Sequence, residues 1–482
     1  MKKRMLTITI IISTFLLLGR APITTNNTTR NLFNTGKSLF AEKKYTEALE
    51  IFSQVLNQEP DHAPTHYLLT RLFDRIENKK KVLEHAKKTI NRFTDSDVLN
   101  HCAQILIQND EIEAAFTAYQ KIYLQQPENF HWNYTIGCLL SILNKHEQAL
   151  VYYKKALLLN PSHEETRLGF SKALLACGDF NLGWWEFEYR MDYSQEFQQY
   201  LKYPNLDLKN LKGKKIILLA EWGLGDTLHF VRYAKKLKDL GATVYLQTFG
   251  PLVKLLSACP YLDAVTKQGD ALPKADIRIP LLSLPLVFKT TLDTIPAEIP
   301  YIYAKPDLVE EWRKKICVDN TFKIGICWHA KPIYLEEHLY TRRSVPLSTF
   351  LPLTTLSNIS LYSLQKAYGT EELNTTTTTI HSFGTELDEA QGPFMDTAAI
   401  IKNLDLVISA DTSIVHLAGS LGTPVWVLLP YSAEWRWFHD RTDSPWYPGT
   451  MRLFRQSKPG DWGSVINDII FSLNILLKQT KK

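Results

Sequence analysis

Three residues with side chains that can cap a helix follow an apolar run near the end of the chain. The run Leu404–Ser409 is rich in β-branched residues, which predicts a strand that is buried on both faces. Asp411, Thr412 and Ser413 come directly after it, and apolar residues at helical spacing continue as far as Leu421. Because free N–H groups and the helix dipole converge at such a helix start, the sequence predicts an anion-binding site there.

A glycine-containing loop near the middle of the chain also lies between a predicted strand and a predicted helix. The stretch KKIILLAE at residues 214–221 predicts a buried strand, and an amphipathic helix is predicted to run to about Leu240. Gly223, Gly225 and Asp226 lie between these two elements. Glycines in such a loop let the backbone pass close to a ligand. The loop lacks the full dinucleotide fingerprint, so by itself it names no ligand.

The elements that position these two loops form two predicted α/β halves, at residues 205–305 and 306–475. In the second half Gly422 is suited to end the helix after Ser413, and the run Val425–Leu429 predicts the next strand. This order of strand, helix and strand is one βαβ unit of a parallel sheet. We expect the halves to flank a cleft with Gly225 and Asp226 on one side and the 411–413 turn on the other.

The first third of the chain carries an internal repeat. Pro60, Pro127 and Pro161 lie at intervals close to two units and one unit of about 34 residues, the tetratricopeptide length. Small residues such as Gly137 fall where two helices cross closely, and aromatic residues fill the space beside them. Residues 29–195 therefore resemble a tetratricopeptide array, an all-α solenoid. Such arrays bind a protein or peptide, or only space and dock the rest of the chain.

Composition and charge limit the classes of protein to which the chain can belong. The chain has 482 residues, of which 45% are hydrophobic and 22% charged, and its net charge is +5, as for an ordinary globular protein with several domains. No long Lys/Arg run is present, which argues against a nucleic-acid binder. The 6 cysteines are scattered without a CxxC pair, as reduced core thiols are. We expect no metal site and no cofactor.

The N-terminal segment has the pattern of a leader. Three basic residues at positions 2–4 precede the apolar run Met5–Gly19, which is shorter than the about 20 residues of a membrane span. This pattern is typical of a signal peptide, although Pro22 follows the candidate cleavage site directly. Residues 1–28 are thus interpreted as a signal peptide or a membrane anchor with a polar linker. A hydrophobic leader on a cytoplasmic protein is a third interpretation, and the sequence leaves the location open among cytoplasm, membrane and periplasm or exterior.

Two motifs of the α/β region resemble those of a known family. DTSIVHLAGSLGTPVWVLLP, which begins at Asp411, resembles the D-T-x-x-x-H-L-A-x-x-L-G-x-P signature of heptosyltransferase-like inverting glycosyltransferases, the family 9 type. GLGDTLHFVRY, which begins at Gly223, resembles the first-strand loop of that family. The chain is most similar to bacterial proteins that fuse tetratricopeptide repeats to such a domain, since it also carries Trp328, RSVPL from Arg343 and WRW at 435–437.

The resemblance covers about residues 213–470 and implies a GT-B fold, with two Rossmann-like halves and no required metal. It implies transfer of a sugar, with inversion, from a nucleotide-sugar donor to a saccharide or protein hydroxyl, while the repeats recruit a partner or the acceptor. Such donors are made in the cytoplasm, whereas the basic residues before the leader favour placing most of the chain outside. The sequence does not resolve this conflict.

The resemblance also implies roles for single residues. Asp226 falls on the proposed catalytic base of the family, which takes the proton of the acceptor hydroxyl. The residues implied on the donor side are Gly223, Gly225, Arg342, Arg343, Asp411, Thr412, Ser413 and His416. Of these, the 411–413 turn would supply N–H donors to the departing diphosphate, His416 a further contact, and Arg342 or Arg343 positive charge.

Each of these residues has a structural alternative. Asp226 and Asp411 could simply cap their helices or form turns, and His416 could be a core histidine. The two arginines could be a solvated pair, and packing explains Trp435 and Trp437 more readily than sugar stacking. If these alternatives hold throughout, the chain is a repeat-based protein-binding scaffold with a catalytically inactive glycosyltransferase-like domain.

Overall fold

The computed structural model describes residues 27–193, 208–330, 342–376 and 378–480. Its contacts divide it into two compact units, Met1–Gln126 and Pro127–Lys482. The predicted fold class is confirmed, because helical hairpins are followed by two parallel α/β sheets. The leader predicted at residues 5–19 lies outside the described ranges. Within those ranges, every helix is too short or too polar to cross a membrane.

The first unit is built from helical hairpins in which consecutive helices pack on each other. Its helices are α1 (Asn27–Ala41), α2 (Tyr45–Gln58), α3 (Ala63–Arg75), α4 (Lys79–Arg92), α5 (Ser96–Gln108) and α6 (Ile112–Gln125). Small residues permit the close crossing, as predicted. A Cβ built on Gly36 would lie 2.6 Å from the ring of Phe52, so only glycine fits there.

The repeat continues into the second unit with the same turn chemistry. Its first helices are α7 (Phe130–Ile142), α8 (His146–Leu159), α9 (Glu164–Ala176) and α10 (Phe180–Phe187). A left-handed residue closes the first helix of each hairpin, at Lys43, Glu77, Asp110, Asn144 and Gly178. In each turn the next N–H donates to the carbonyl five residues earlier, the hydrogen bond of a Schellman cap. The backbone thus repeats at the interval of about 34 residues that the prolines predicted.

The first α/β half contains a sheet whose strands are all parallel, in the order β3-β2-β1-β4. The strands are β1 (Lys215–Leu219), β2 (Thr243–Thr248), β3 (Ala264–Lys267) and β4 (Ile277–Pro280). The helices around it are α11 (Leu224–Phe230), α12 (Arg232–Asp239), α13 (Val253–Leu256) and α14 (Leu284–Val287), and α15 (Pro306–Ile316) leads to the second half. The helix predicted after Gly225 is therefore divided at Val231.

The second half contains a parallel sheet in the order β6-β5-β7-β8-β9. The strands are β5 (Phe322–Cys327), β6 (Ile359–Ser363), β7 (Leu406–Ala410), β8 (Val425–Leu429) and β9 (Met451–Arg455). The helices are α16 (Met395–Ile401), α17 (Ser413–Leu421) and α18 (Trp462–Thr480). Beside β6, His381 forms one isolated parallel bridge with Tyr362.

One hydrophobic core joins the last repeat to the α/β region. Trp184 and Phe187 of α10 belong to the same buried cluster as the apolar residues of β1, α11 and α17. A second cluster fills the other face of the second sheet, against α18. The last repeat is thus part of the scaffold around the loops after β1 and β7. In parallel sheets such loops meet at the carboxyl edge, where ligands bind.

Candidate functional site

The loops that follow β1 and β7 touch each other. Gly225, in the first turn of α11, faces the start of α17. A Cβ built on Gly225 would lie 3.1 Å from Cδ2 of His416 and 3.7 Å from Cα of Ser413. Glycine permits this approach because it has no side chain. The structure therefore brings the two sequence-predicted loops together at one place.

Asp226 is held in an ion pair that the sequence did not predict. Its Oδ1 accepts a hydrogen bond from Nη2 of Arg436 at 2.6 Å, and the two side chains are 18% and 9% exposed. Burial acts to lower the pKa of Arg436, but the carboxylates of Asp226, Glu434 and Asp411 raise it. Arg436 is therefore a fully charged cation within reach of the carboxylate.

Arg436 also carries an unused donor. Among the described residues, its buried Nε has no hydrogen-bond partner. A buried N–H without a partner costs about 1–3 kcal/mol, and it is available to an anion that enters the site. A guanidinium with one donor on Asp226 and one donor unoccupied can hold a phosphate oxygen beside that carboxylate.

Asp411 and Thr412, in the turn after β7, have different roles. Thr412 is the N-cap of α17, since its side chain accepts a hydrogen bond from the N–H of Ile414 at 3.2 Å. Asp411 is instead buried, and its Oδ2 accepts from Nε1 of Trp437 at 2.9 Å. Burial raises the pKa of Asp411 against the opposing charges of Arg343 and Arg436. Asp411 therefore anchors Trp437, and the cap interpretation applies to Thr412.

His416 belongs to a buried polar network. Its Nδ1 lies 2.9 Å from Oη of Tyr447, and its ring is stacked on Trp437 with centroids 5.5 Å apart. Tyr447 Oη also lies 3.2 Å from Nδ1 of His229. Burial, together with the charge of Arg436, holds the pKa of His416 well below its ordinary value. His416 is therefore neutral at physiological pH and offers a hydrogen bond but no positive charge.

The two predicted arginines differ in position. Nη1 of Arg343 donates to the backbone oxygen of Asp411 at 3.4 Å, which places its charge at the predicted anion site. Arg342 is exposed. Arg455 is a further cation nearby, and burial lowers its pKa to about 10 while Asp411 opposes that shift. Arg343, Arg436 and Arg455 therefore surround one buried carboxylate and give this region excess positive charge.

Repeat helices hold the loop that carries Arg436. The side-chain amide of Asn144, between α7 and α8, donates to the backbone oxygen of Tyr431 at 2.6 Å. Lys172 of α9 forms an ion pair with Glu434 at 3.4 Å. Trp184 of α10 makes an edge-to-face contact with Trp435 at 5.3 Å between centroids. The site is thus assembled from both α/β halves and from the last repeats.

Arg436 and Lys172 are the candidate site residues that sequence reasoning missed. Arg436 stood within the WRW motif, and Trp435 and Trp437 are buried, as the packing interpretation predicted. An arginine between two core tryptophans needs a carboxylate partner, which was a usable signal for a site. The sequence did not point to Lys172, because this residue lies on a repeat helix far in sequence from the motifs of the α/β region. Across the described ranges, no group of three or more histidine, cysteine or acidic side chains is placed to bind a metal.

Parts of the chain are similar to known proteins. Residues 133–163 match the tetratricopeptide repeat family. Protein FlbA of Caulobacter vibrioides is 22% identical over an alignment 511 positions long, which spans 89% of this chain and 81% of that protein. A glycosyl transferase family 9 structure from Veillonella parvula is 12% identical, with a TM-score of 0.43, and covers 56% of this chain and 98% of its own.

The repeats are also similar to solved structures. A crystal structure of MamA is 18% identical, with a TM-score of 0.28, and covers 36% of this chain and 95% of its own. YrrB, described as a repeat protein with an unusual peptide-binding site, is 13% identical, with a TM-score of 0.30, over 36% of this chain and 93% of its own.

Proposed function

We propose that this protein is a metal-independent inverting glycosyltransferase, which moves a sugar from a nucleotide-sugar to a hydroxyl of a saccharide or protein. The observation that carries the proposal is the position of Asp226. Its carboxylate is held by Arg436, and Gly225 beside it contacts the N-terminal end of α17. A proton acceptor, a cation and free helix N–H groups therefore lie together, and an inverting transfer needs all three.

The reaction follows from this arrangement. Asp226 takes the proton of the acceptor hydroxyl while that oxygen forms a bond to the anomeric carbon. The bond between the anomeric carbon and the diphosphate oxygen breaks, and the nucleoside diphosphate departs with the electron pair. N–H groups of the 412–413 turn, with Arg343 and Arg436, stabilise the negative charge that develops on it.

The ion pair predicts an order of events. In the structure Nη2 of Arg436 donates to Oδ1 of Asp226, so this carboxylate oxygen is not open to an acceptor hydroxyl. A diphosphate carries more charge than one carboxylate and offers several oxygen atoms to a guanidinium. Donor binding is therefore expected to draw Arg436 toward the diphosphate, which frees Asp226 as the base. The repeats, which hold the loop of Arg436, recruit a partner or the acceptor in this proposal.

The same ion pair favours a second candidate function. If Arg436 stays on Asp226 in every state, the α/β region has no free base and serves only as a folded support for the repeats. The chain would then be a protein-binding scaffold with an inactive glycosyltransferase-like domain. Donor binding and turnover separate the two candidates.

The test uses the full chain and a panel of UDP-, GDP- and ADP-sugars. We expect one nucleotide-sugar to raise the melting temperature and to release its nucleotide slowly. Arg436→Gln is expected to lose most of that thermal shift. Arg441→Gln is the matched control, because Arg441 is an exposed arginine a few residues away that pairs with Asp443. No shift with any member of the panel would favour the scaffold.

A further inference from the structure

Trp222 is an exposed indole beside the candidate site. It lies between β1 and α11, and 46% of its surface is exposed, whereas Trp184, Trp328 and Trp437 are fully buried. Its backbone φ is 65°, in the left-handed region. A bulky residue there is strained by about 1–2 kcal/mol. The fold therefore keeps a large aromatic residue at an exposed position where glycine would carry less strain.

Two side chains of the last repeat flank the indole. Phe187 of α10 contacts it edge to face, with ring centroids 5.2 Å apart. Nζ of Lys172, on α9, lies 5.7 Å from the indole centroid. Lys172 also pairs with Glu434 at 3.4 Å, and the two side chains are 36% and 38% exposed. One aromatic surface is thus bordered by an accessible donor and an accessible acceptor.

The residue that follows Trp222 is close to the proposed base. A Cβ built on Gly223 would lie 3.5 Å from Oδ2 of Asp226. The other carboxylate oxygen of Asp226 binds Arg436, two residues after Glu434. Trp222 therefore lies directly before the first turn of α11, which carries the proposed base.

We infer that Trp222, Lys172 and Glu434 form a saccharide-binding platform for the acceptor, an inference that rests on the proposed function. A pyranose ring has an apolar face of C–H groups and a rim of hydroxyls. The C–H face packs on an aromatic surface, and the hydroxyls hydrogen-bond to a neighbouring donor and acceptor. A peptide adds to a sheet only at a free strand edge, and β1 is flanked on both sides, by β2 and β4. The repeat array thereby contributes directly to acceptor binding.

The experiment follows single tryptophans by ¹⁹F NMR in the full chain labelled with 5-fluorotryptophan. Trp→Phe variants assign Trp222, Trp437, which hydrogen-bonds Asp411, and Trp185, an exposed ring of α10. The probes are cellobiose, maltose, lactose, chitobiose and mannobiose, and separately the nucleotide-sugars. We expect one disaccharide to move the Trp222 resonance and leave that of Trp185 unchanged. Lys172→Ala should weaken this effect about tenfold, since it removes a charged hydrogen bond.

The two proposals fail in different ways. If a nucleotide-sugar moves Trp437 and no disaccharide moves Trp222, with or without that nucleotide-sugar present, the platform is wrong and the donor site stands. If an extended peptide moves Trp222 and the sugars do not, the acceptor is a protein and the platform is again wrong. If no disaccharide moves the Trp222 resonance and no nucleotide-sugar moves the Trp437 resonance, both proposals are contradicted. In an active enzyme, Trp222→Ala should raise KM for the acceptor and leave KM for the donor unchanged.

Discussion

Asp226 and Arg436 are 210 residues apart in sequence, and their side chains meet at 2.6 Å. The pair joins the first α/β half to the loop that follows β8, and the Arg436 side chain is only 9% exposed. Removing one partner of such a pair leaves a charge largely out of water with no counter-charge. The pair is therefore a structural tie as well as a candidate part of the chemistry.

This tie predicts a large coupling energy in a double-mutant cycle. Asp226→Ala, Arg436→Ala and the double variant, measured by urea unfolding, should give a coupling of about 1–3 kcal/mol. The matched control is the more exposed pair of Arg441 and Asp443, at a similar distance of 2.7 Å, for which about 0–1 kcal/mol is expected. Equal coupling in the two cycles would mean that burial adds nothing to the first pair.

The contact between α11 and α17 predicts a strict need for glycine at position 225. In Gly225→Ala the new Cβ would lie 3.1 Å from His416, a ring fixed by its neighbours. We expect the free energy of unfolding to fall by about 1–3 kcal/mol, as in other overpacked cores. Gly223→Ser is the control, since its Cβ lies 3.5 Å from the nearest atom and serine is a good N-cap. A loss as large in the control would refute the packing explanation.

The repeat turns predict opposite effects for two substitutions. Lys43 has a φ of 62° and Gly178 a φ of 81°, at equivalent turns. Glycine carries no penalty there, whereas other residues lose about 1 kcal/mol. Lys43→Gly should therefore raise the melting temperature, and Gly178→Ala should lower it. Shifts of the same sign in both variants would contradict this account of the turns.

A buried histidine pair predicts an acid-sensitive segment in the first unit. Nδ1 of His66 and Nδ1 of His85 lie 2.8 Å apart, so at least one ring must be neutral. Burial, then His66, lowers the pKa of His85 from 6.5 to about 4, while Glu84, Lys88 and Lys81 act more weakly. Because the folded-state pKa is the lower one, the unfolded state binds more protons below pH 6.5. Stability present above that pH is lost as the pH falls toward about 4.

The measurement is amide hydrogen exchange of α3 and α4 as a function of pH, corrected for the intrinsic exchange rate. His85→Asn should flatten the pH dependence, because asparagine can hydrogen-bond His66 without titrating. His131→Asn, at an exposed position of α7, should leave it unchanged. Protection of α3 and α4 that does not change between neutral pH and about pH 4 would show that the pair has no such effect.

Local patterns in the sequence predicted the elements but not all of their contacts. The strand at Val425–Leu429 has the predicted bounds, because it is a continuous apolar run between turn residues. Thr412 caps its helix as one of three expected candidates. Asp396, in the first turn of α16, does not cap that helix, because its carboxylate accepts from Nε1 of Trp312. A side chain that can cap a helix binds a distant partner when the fold supplies one.

The candidate site was harder to predict because half of its partners come from distant segments. Asp226 and the 411–413 turn are local motifs, and the sequence pointed to both. Arg436 contacts Asp226 only when the loop after β8 folds back to α11, and Lys172 contacts Glu434 only when α9 packs beside that loop. No local spacing encodes such contacts. The roles of the predicted residues in a reaction stay predictions.

The measurement that tests the central claim most directly is turnover by Asp226→Asn. Asparagine keeps the size of the side chain and can still accept from Arg436, but it cannot take a proton. With a nucleotide-sugar that raises the melting temperature of the wild-type chain, the variant should keep that shift and lose nucleotide release by about 10²- to 10⁴-fold. Release at the wild-type rate would contradict the assignment of Asp226 as the base.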